Sequence, residues 1–230
     1  WQLTKFLNKD ELVRFHRGIR MLDKHITKRT LAIGLSPFLY NIAHCFVVII
    51  INNQLKNYGG DLAIASYGVI NRIVFVFAMI IMGLNQGMQP ITGYNYGAKQ
   101  YDRMLRSFYL TCMYATGVMA IIFILGECFP RQITQIFTHD INLIEQTIVP
   151  MRIICSTMLI IGFQMVAGNF FTSIGMAGKS IFLSMTRQVV YLIPLLLIVP
   201  AFFENPVLGV WWAIPISDTM AAITAAIMLG

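Results

Sequence analysis

Long apolar windows recur along the chain, separated by short segments that carry most of the charge. A transmembrane helix needs about 20 consecutive, mostly apolar residues, and six windows reach or approach that length. The pattern predicts an all-α membrane protein whose domain at 30–230 is a bundle of six transmembrane helices. The predicted spans are 30–55, 63–96, 107–129, 149–175, 181–203 and 207–230.

Residues 1–29 differ from the rest because they are rich in charge and contain no long apolar run. Five apolar residues there follow helical spacing opposite a basic face: Leu12, Phe15, Ile19, Leu22 and Ile26. Two interpretations stay open, a partly amphipathic helix on the inner membrane surface and a solvated linker packed on the protein. Six spans after such a segment are typical of half of a larger protein, so we expect 1–29 to be a cytoplasmic linker between two lobes.

Charge is scarce and unevenly placed. Only 12% of the residues are charged, against about one quarter in an average globular domain. The net charge of +7 comes from Lys and Arg concentrated in 1–29 and in the loops after the second and fourth predicted spans. An excess of Lys and Arg marks cytoplasmic loops, so we expect both chain ends in the cytoplasm. This alternation indicates a lipid bilayer as the chain's surroundings and disfavours nucleic acid as a partner.

Small and polar residues gather at the end of the second predicted span. On a helix turning 100° per residue they share an arc of about 120°; they are Gly83, Gln86, Gly87, Pro90, Gly93, Tyr94 and Gly97. Glycines four apart allow another helix to approach closely, and a proline inside a helix kinks it. The stripe predicts either a close helix contact or a kinked helix that lines a cavity.

Four stretches, in order, resemble the multidrug and toxic compound extrusion (MATE) family: "GLSPFLYNIAHC", "NQGMQPITGYNYGAKQYDRM", "SMTRQVVYLIPLL" and "GVWWAIPISD". The resemblance implies spans seven to twelve, the C-terminal lobe of a two-lobe, twelve-helix antiporter in a membrane such as the bacterial cytoplasmic (inner) membrane. It implies export of drugs or other bulky, often cationic compounds by alternating access, in exchange for H⁺ or Na⁺. The implied partners are the N-terminal six-helix lobe and a small organic substrate.

The resemblance also directs attention to particular polar residues. In one branch of the family, acids on the seventh and tenth spans help bind the coupling cation. Here the corresponding regions offer Asn41 and His44, and Gln164 and Asn169, none of them acidic. That composition resembles the MepA/DinF-like branch, whose coupling acid is expected in the N-terminal lobe. Further candidates for the substrate or cation pathway are Gln86, Gln89 and Tyr191.

Asp218 is the one acid well inside a predicted span. Inserting such a charge at the centre of a helical span costs about 2.5–3.5 kcal/mol, which makes intramembrane acids functional candidates. One hypothesis is that Asp218 faces the bundle interior and tunes cation or substrate binding. The alternative is a structural acid paired with a basic side chain or a hydroxyl.

Three other polar residues of the spans have two interpretations each. Arg72 is expected to pair with Glu127 across two helices or to form an outer-gate contact. Arg187 begins the fifth span, where its side chain can extend to the interface, and the resemblance suggests an inner-side structural or gating pair. His44 is predicted to be a hydrogen-bonded interior residue, with a proton relay as the alternative.

Other kinds of function find little support in the sequence. The four cysteines stand apart without metal-ligand spacing. The stretch "GMAGKS" lacks the glycine that a phosphate-binding loop needs at position 173. We therefore predict no enzyme, no metal site and no cofactor other than the coupling ion. The alternative function within the same superfamily is a flippase for a lipid-linked precursor.

Overall fold

The computed structural model of the chain describes residues 23–229, without the side chains at positions 29, 33 and 36. The predicted amphipathic helix of 1–29 lies largely outside this range. Every regular element in the described range is helical. The elements are α1 (24–59) and α2 (61–97), which together make up Lys24–Gly97, then α3 (Tyr101–Cys128), α4 (Pro130–Phe137), α5 (Ile141–Cys155), α6 (Met158–Ser173), α7 (Ala177–Phe202) and α8 (Pro206–Leu229).

A single glycine separates α1 from α2. Gly60 has φ 68° and ψ −164°, a conformation that residues with a Cβ rarely adopt. A straight helix of 74 residues would be about 110 Å long, far more than the ~30 Å hydrocarbon core of a bilayer. The break divides this length into two helices, each long enough to cross the membrane.

A second interruption divides the predicted fourth span. Helices α5 and α6 are apolar enough to cross a membrane together, but they bend by 52° where they meet. Tyr101–Cys128, Ala177–Phe202 and Pro206–Leu229 each qualify as a span alone. Counting α1 and α2 separately gives the six segments that the sequence predicts; their exact bounds in a bilayer stay a prediction.

Helix α7 changes its hydrogen-bond pattern along its length. It is α-helical over Ala177–Met185, π-helical over Thr186–Leu192, α-helical again over Ile193–Ile198, and ends in a 3₁₀ turn at Val199–Phe202. The amide of Ile193 donates to the carbonyl of Gln188, five residues earlier. Pro194 follows directly and has no N–H to donate. The wider π turns therefore lie next to the residue that cannot sustain the ordinary pattern.

Close contacts and hydroxyl pairs join the helices. Helix α6 lies against α3 at Gly162, where an added Cβ would be 3.2 Å from the Ala115 carbonyl oxygen. Ser66 of α2 and Thr147 of α5 are hydrogen-bonded at 3.0 Å, and Thr92 of α2 is 2.9 Å from the Ser107 hydroxyl of α3. Small residues and cross-helix hydroxyls are the usual means of association in a membrane, where apolar burial drives little.

The packing of α8 on the 3₁₀ end of α7 gives a stability prediction. A Cβ at Gly209 would lie 2.5 Å from Pro200 Cα, a backbone atom that cannot rotate away. Gly209→Ala should destabilise the full-length protein by about 1–3 kcal/mol through overpacking, read as a lower unfolding temperature in detergent. Gly168→Ala is the control, because nothing lies within 4 Å of its Cβ position. Equal unfolding temperatures for the two variants would contradict this packing.

Candidate functional site

A buried ion pair joins α7 to α8. The Nε of Arg187, in the π-helical segment, donates to Oδ1 of Asp218 at 2.7 Å. The Asp218 side chain is 1% exposed, and that of Arg187 is 19% exposed. The pairing places a negative and a positive charge together inside an otherwise apolar bundle. Part of the Arg187 side chain is exposed at the surface of the lobe, whereas Asp218 is fully buried.

Two aromatic residues of α1 complete the surroundings of Arg187. The Tyr40 side chain lies close to its guanidinium. The Tyr40 ring is parallel to the imidazole of His44, with 6.2 Å between ring centroids. His44 is half-buried and lies close enough to Arg187 for the guanidinium charge to act on its imidazole. Arg187 is thus the point at which α1, α7 and α8 meet.

The same junction continues along α7 and α8. The hydroxyl of Tyr191 is 2.9 Å from that of Thr224. Oδ2 of Asp218 is buried and has no hydrogen-bond partner among the described residues, and the same is true of Oε1 of Gln188, the next residue after Arg187. A buried polar atom without a partner is costly, so the described helices do not fully satisfy the Asp218 carboxylate.

The ion pair bears on two of the sequence-based interpretations. Asp218 has the basic partner that the structural alternative required, and it also lies in the bundle interior, as the functional hypothesis required. The paired Arg187 fits the inner-side structural or gating pair that the resemblance suggests, and its reach to the membrane interface stays a prediction. The sequence did not indicate that these two residues, 31 positions apart, would be partners.

The expected ion pair between Arg72 and Glu127 is not formed among the described residues. Arg72 lies on the exposed face of α2. Glu127 is half-buried at the end of α3, near Cys155 of α5. The two helices contact each other, but no ion pair joins these two side chains.

The polar stripe of α2 is an open face of the lobe. Gln86, Gly87 and Pro90 are exposed. Nothing lies within 4 Å of a Cβ built at Gly83, Gly87 or Gly97. Gly93 is the exception, since its Cβ position is 3.1 Å from the Ser173 carbonyl oxygen of α6. Apart from the contact at Gly93, the described helices leave this stripe uncovered.

The remaining predicted residues are spread over three helices. Gln89 is half-buried on α2, while Asn41 is exposed on α1 and donates to the Pro37 carbonyl at 2.7 Å. On α6, Asn169 donates to the Met165 carbonyl at 3.1 Å. Gln164 is buried, and its Oε1 has no partner among the described residues. The structure does not bring these side chains to the ion pair.

Asn85 is a polar residue that the sequence interpretation missed. It is 2% exposed, and neither atom of its amide finds a partner within 23–229. It lies roughly opposite the polar stripe on the helical wheel. The available signal was a second polar series on that face, Asn85, Thr92 and Asn95, all of which are buried.

Comparison with known proteins decides the family. The MatE family profile matches residues 33–198. The chain belongs to the MATE family. Over 227 residues it is 25% identical to the multidrug export protein MepA of Staphylococcus aureus (strain MSSA476), covering 99% of this chain and 49% of that protein.

Solved MATE structures share the fold. The MATE multidrug transporter DinF-BH, solved as a complex, is 35% identical, with a TM-score of 0.84, over 99% of this chain and 50% of that one. A MATE crystal structure in a bent conformation is 21% identical, with a TM-score of 0.89, over 97% and 49%. The chain spans about half the length of these relatives. The predicted resemblance to the MATE family and the all-α fold of one lobe are confirmed, and the family consists of transporters and not enzymes.

The buried position of the ion pair gives a second stability prediction. Asp218→Leu leaves Arg187 without its counter-charge, and breaking one side of a buried pair costs about 3–5 kcal/mol. The double variant Asp218→Leu/Arg187→Met removes both charges and should lose clearly less. Unfolding of the full-length protein in mixed detergent micelles measures each free energy.

The exposed pair of Arg131 and Glu145, with side chains 56% and 52% exposed, is the matched control. Arg131→Ala should change the free energy of unfolding by no more than about 1 kcal/mol. A double variant that is at least as unstable as Asp218→Leu alone would contradict the pairing.

Proposed function

We propose that this chain is the C-terminal lobe of a secondary antiporter that exports drugs or other bulky, often cationic compounds in exchange for H⁺ or Na⁺. The observation that carries the proposal is the open polar face of α2, where Gln86 and its neighbouring glycines are left uncovered by the lobe's own helices. A face of this kind fits a helix that borders a water-filled pathway.

The proposed partner of the lobe is an N-terminal lobe of six helices. The chain spans about half the length of MepA and DinF-BH. The other half of such a transporter would supply the surface that faces the open side of α2 across the pathway. Alternating access then follows if the two lobes rock about a site between them. MepA is named a multidrug export protein, and DinF-BH is described as a multidrug transporter; both support a drug-like cargo.

We propose roles for the polar residues according to their positions. Gln86, Gln89 and Asn41 border the pathway; His44, Tyr191 and Asp218 form its charged and aromatic side; Gln164 and Asn169 contribute from α6. Arg72 is proposed as a gating charge on the exposed face of α2. With Lys99, Arg103 and Arg106 on the cytoplasmic side, the chain ends lie in the cytoplasm and the protein in a bacterial cytoplasmic membrane.

No specific observation favours the flippase for a lipid-linked precursor. The curated relatives are named multidrug export proteins. The described lobe presents a polar but largely uncharged face along α2, whereas a phosphate-bearing cargo calls for a basic one.

The first functional prediction concerns the energy source. The full-length transporter in proteoliposomes, given an imposed H⁺ or Na⁺ gradient, should move ethidium against its concentration gradient. Collapse of the gradient by an ionophore should stop this movement, because the gradient is the energy source. Two results would contradict the proposal: ethidium movement that needs no ion gradient, and no ethidium movement under either the H⁺ or the Na⁺ gradient.

The second functional prediction concerns the open face of α2. Gly87→Leu adds bulk at a position where the lobe itself offers no neighbour within 4 Å, so folding should be preserved. If the face borders the pathway, ethidium export should fall about tenfold or more, as expected for a mispositioned pathway helix.

Gly117→Leu on α3 is the matched control. Gly117 is also an exposed helical glycine with no neighbour within 4 Å of its Cβ position. It lies among exposed apolar residues such as Met113, Tyr114 and Ile121, as a lipid-facing surface requires. Export should stay at the wild-type level in this variant. Equal loss, or no loss, in the two variants would place the pathway elsewhere.

A further inference from the structure

Only one of the two carboxylate oxygens of Asp218 accepts a hydrogen bond from the described residues. Oδ1 accepts from Arg187 at 2.7 Å, while Oδ2 is buried and has no donor among the described residues. The side chain is 1% exposed, so bulk water does not supply the missing bond. One oxygen of this carboxylate is therefore free to take up a proton without breaking any other hydrogen bond of the lobe.

The charged and titratable groups around Asp218 are few. Arg187 of α7 is the charge that acts on it. Tyr40 and His44 of α1 lie around Arg187, and Tyr191 of α7 is bonded to Thr224. From α2, Tyr67 faces α8 two turns away, at Trp211.

The other helices packed against α8 bring no further charged group close to Asp218. Helix α6 contains no titratable side chain. The acid and base of α5, Glu145 and Arg152, are exposed. Among the charged groups of the described helices, Arg187 is thus the one that acts on Asp218.

Arg187 also lies close to α1 and to the surface of the lobe. The Tyr40 side chain is near its guanidinium, and the Arg187 side chain is 19% exposed. Loss of the negative charge on Asp218 therefore leaves Arg187 uncompensated. The charge of the pair changes from zero to +1, next to Tyr40 and His44 of α1.

We propose that Asp218 is a proton-binding group of the transporter and that it competes with cationic cargo through the charge of Arg187. A proton adds to Oδ2 of Asp218, and the unbalanced guanidinium then repels a cation in the adjoining pathway. A bound cation in turn drives the proton off, which restores the neutral pair. Mutual exclusion of this kind is what H⁺/cation exchange requires. The inference rests on the proposed antiport function and assigns the proton site within this lobe.

The test is ethidium binding to the purified full-length transporter without any gradient. Affinity is measured across a pH series, and calorimetry in buffers of different ionisation enthalpy counts the protons released. In the wild type, affinity should weaken as pH falls, because protonation unmasks Arg187. Binding at the midpoint should release a proton, as linkage demands.

Two variants separate the charge from the proton. Asp218→Asn keeps Arg187 permanently uncompensated, so ethidium should bind about tenfold more weakly even at high pH, with about one proton fewer released. The double variant Asp218→Asn/Arg187→Gln removes both charges. It should bind within about threefold of the wild type at high pH, with the proton release still missing.

Glu145→Gln is the control, since it neutralises a carboxylate of an exposed pair; affinity and proton count should not change. If Asp218→Asn does not fold, Asp218→Glu replaces it and should keep the release with a shifted pH midpoint. A wild type that releases no proton, or an Asp218→Asn variant whose release is undiminished, overturns the proposal.

These outcomes differ from failure of the antiport itself. Proton release on binding together with no gradient-driven ethidium export contradicts the antiporter and leaves the proton site standing. Gradient-driven export together with undiminished release in Asp218→Asn contradicts the proton site alone.

Discussion

A charge placed inside a lipid-embedded bundle needs a counter-charge from the protein, because neither lipid nor apolar side chains can solvate it. In this chain that requirement links Arg187 to Asp218 and so fixes how α7 lies against α8. Tyr40 extends the same centre to α1. The remaining helices are held by small residues and hydroxyl pairs, which position surfaces closely but add little free energy each. The ion pair is therefore the interaction around which the polar part of the lobe is arranged.

Interruptions of regular helix occur near the places where polar groups gather. The π-helical segment carries Arg187, Gln188 and Tyr191, and π turns are often found at functional sites. The bend between α5 and α6 precedes Gln164. Gly60 separates the two helices that bear the exposed polar residues. Each interruption changes the direction of side chains without adding a loop, which keeps the backbone bonded inside the membrane.

The sequence predicted the all-α fold of one lobe, but not which side of each helix faces its neighbours. Apolar windows locate helices because length and composition alone decide whether a segment suits a bilayer. The partner of Arg187 could not be found from helical spacing, since the π turns shift the register on which such spacing depends. The pairing of Arg72 with Glu127 failed because neighbouring helices can present either side to each other. Asn85 was missed because attention went to the stripe on the opposite face of α2.

Gly60 is also the single residue between α1 and α2, so the angle between these helices depends on its backbone torsions. Only one residue connects the two helices, and no loop lies between them that could absorb a displacement. Tyr40 lies about 30 Å from this pivot along α1. A change of only about 10° in the angle between α1 and α2 would displace Tyr40 by about 5 Å relative to α2. A small change in the backbone of one glycine would thus displace the aromatic residues of α1 far relative to α2.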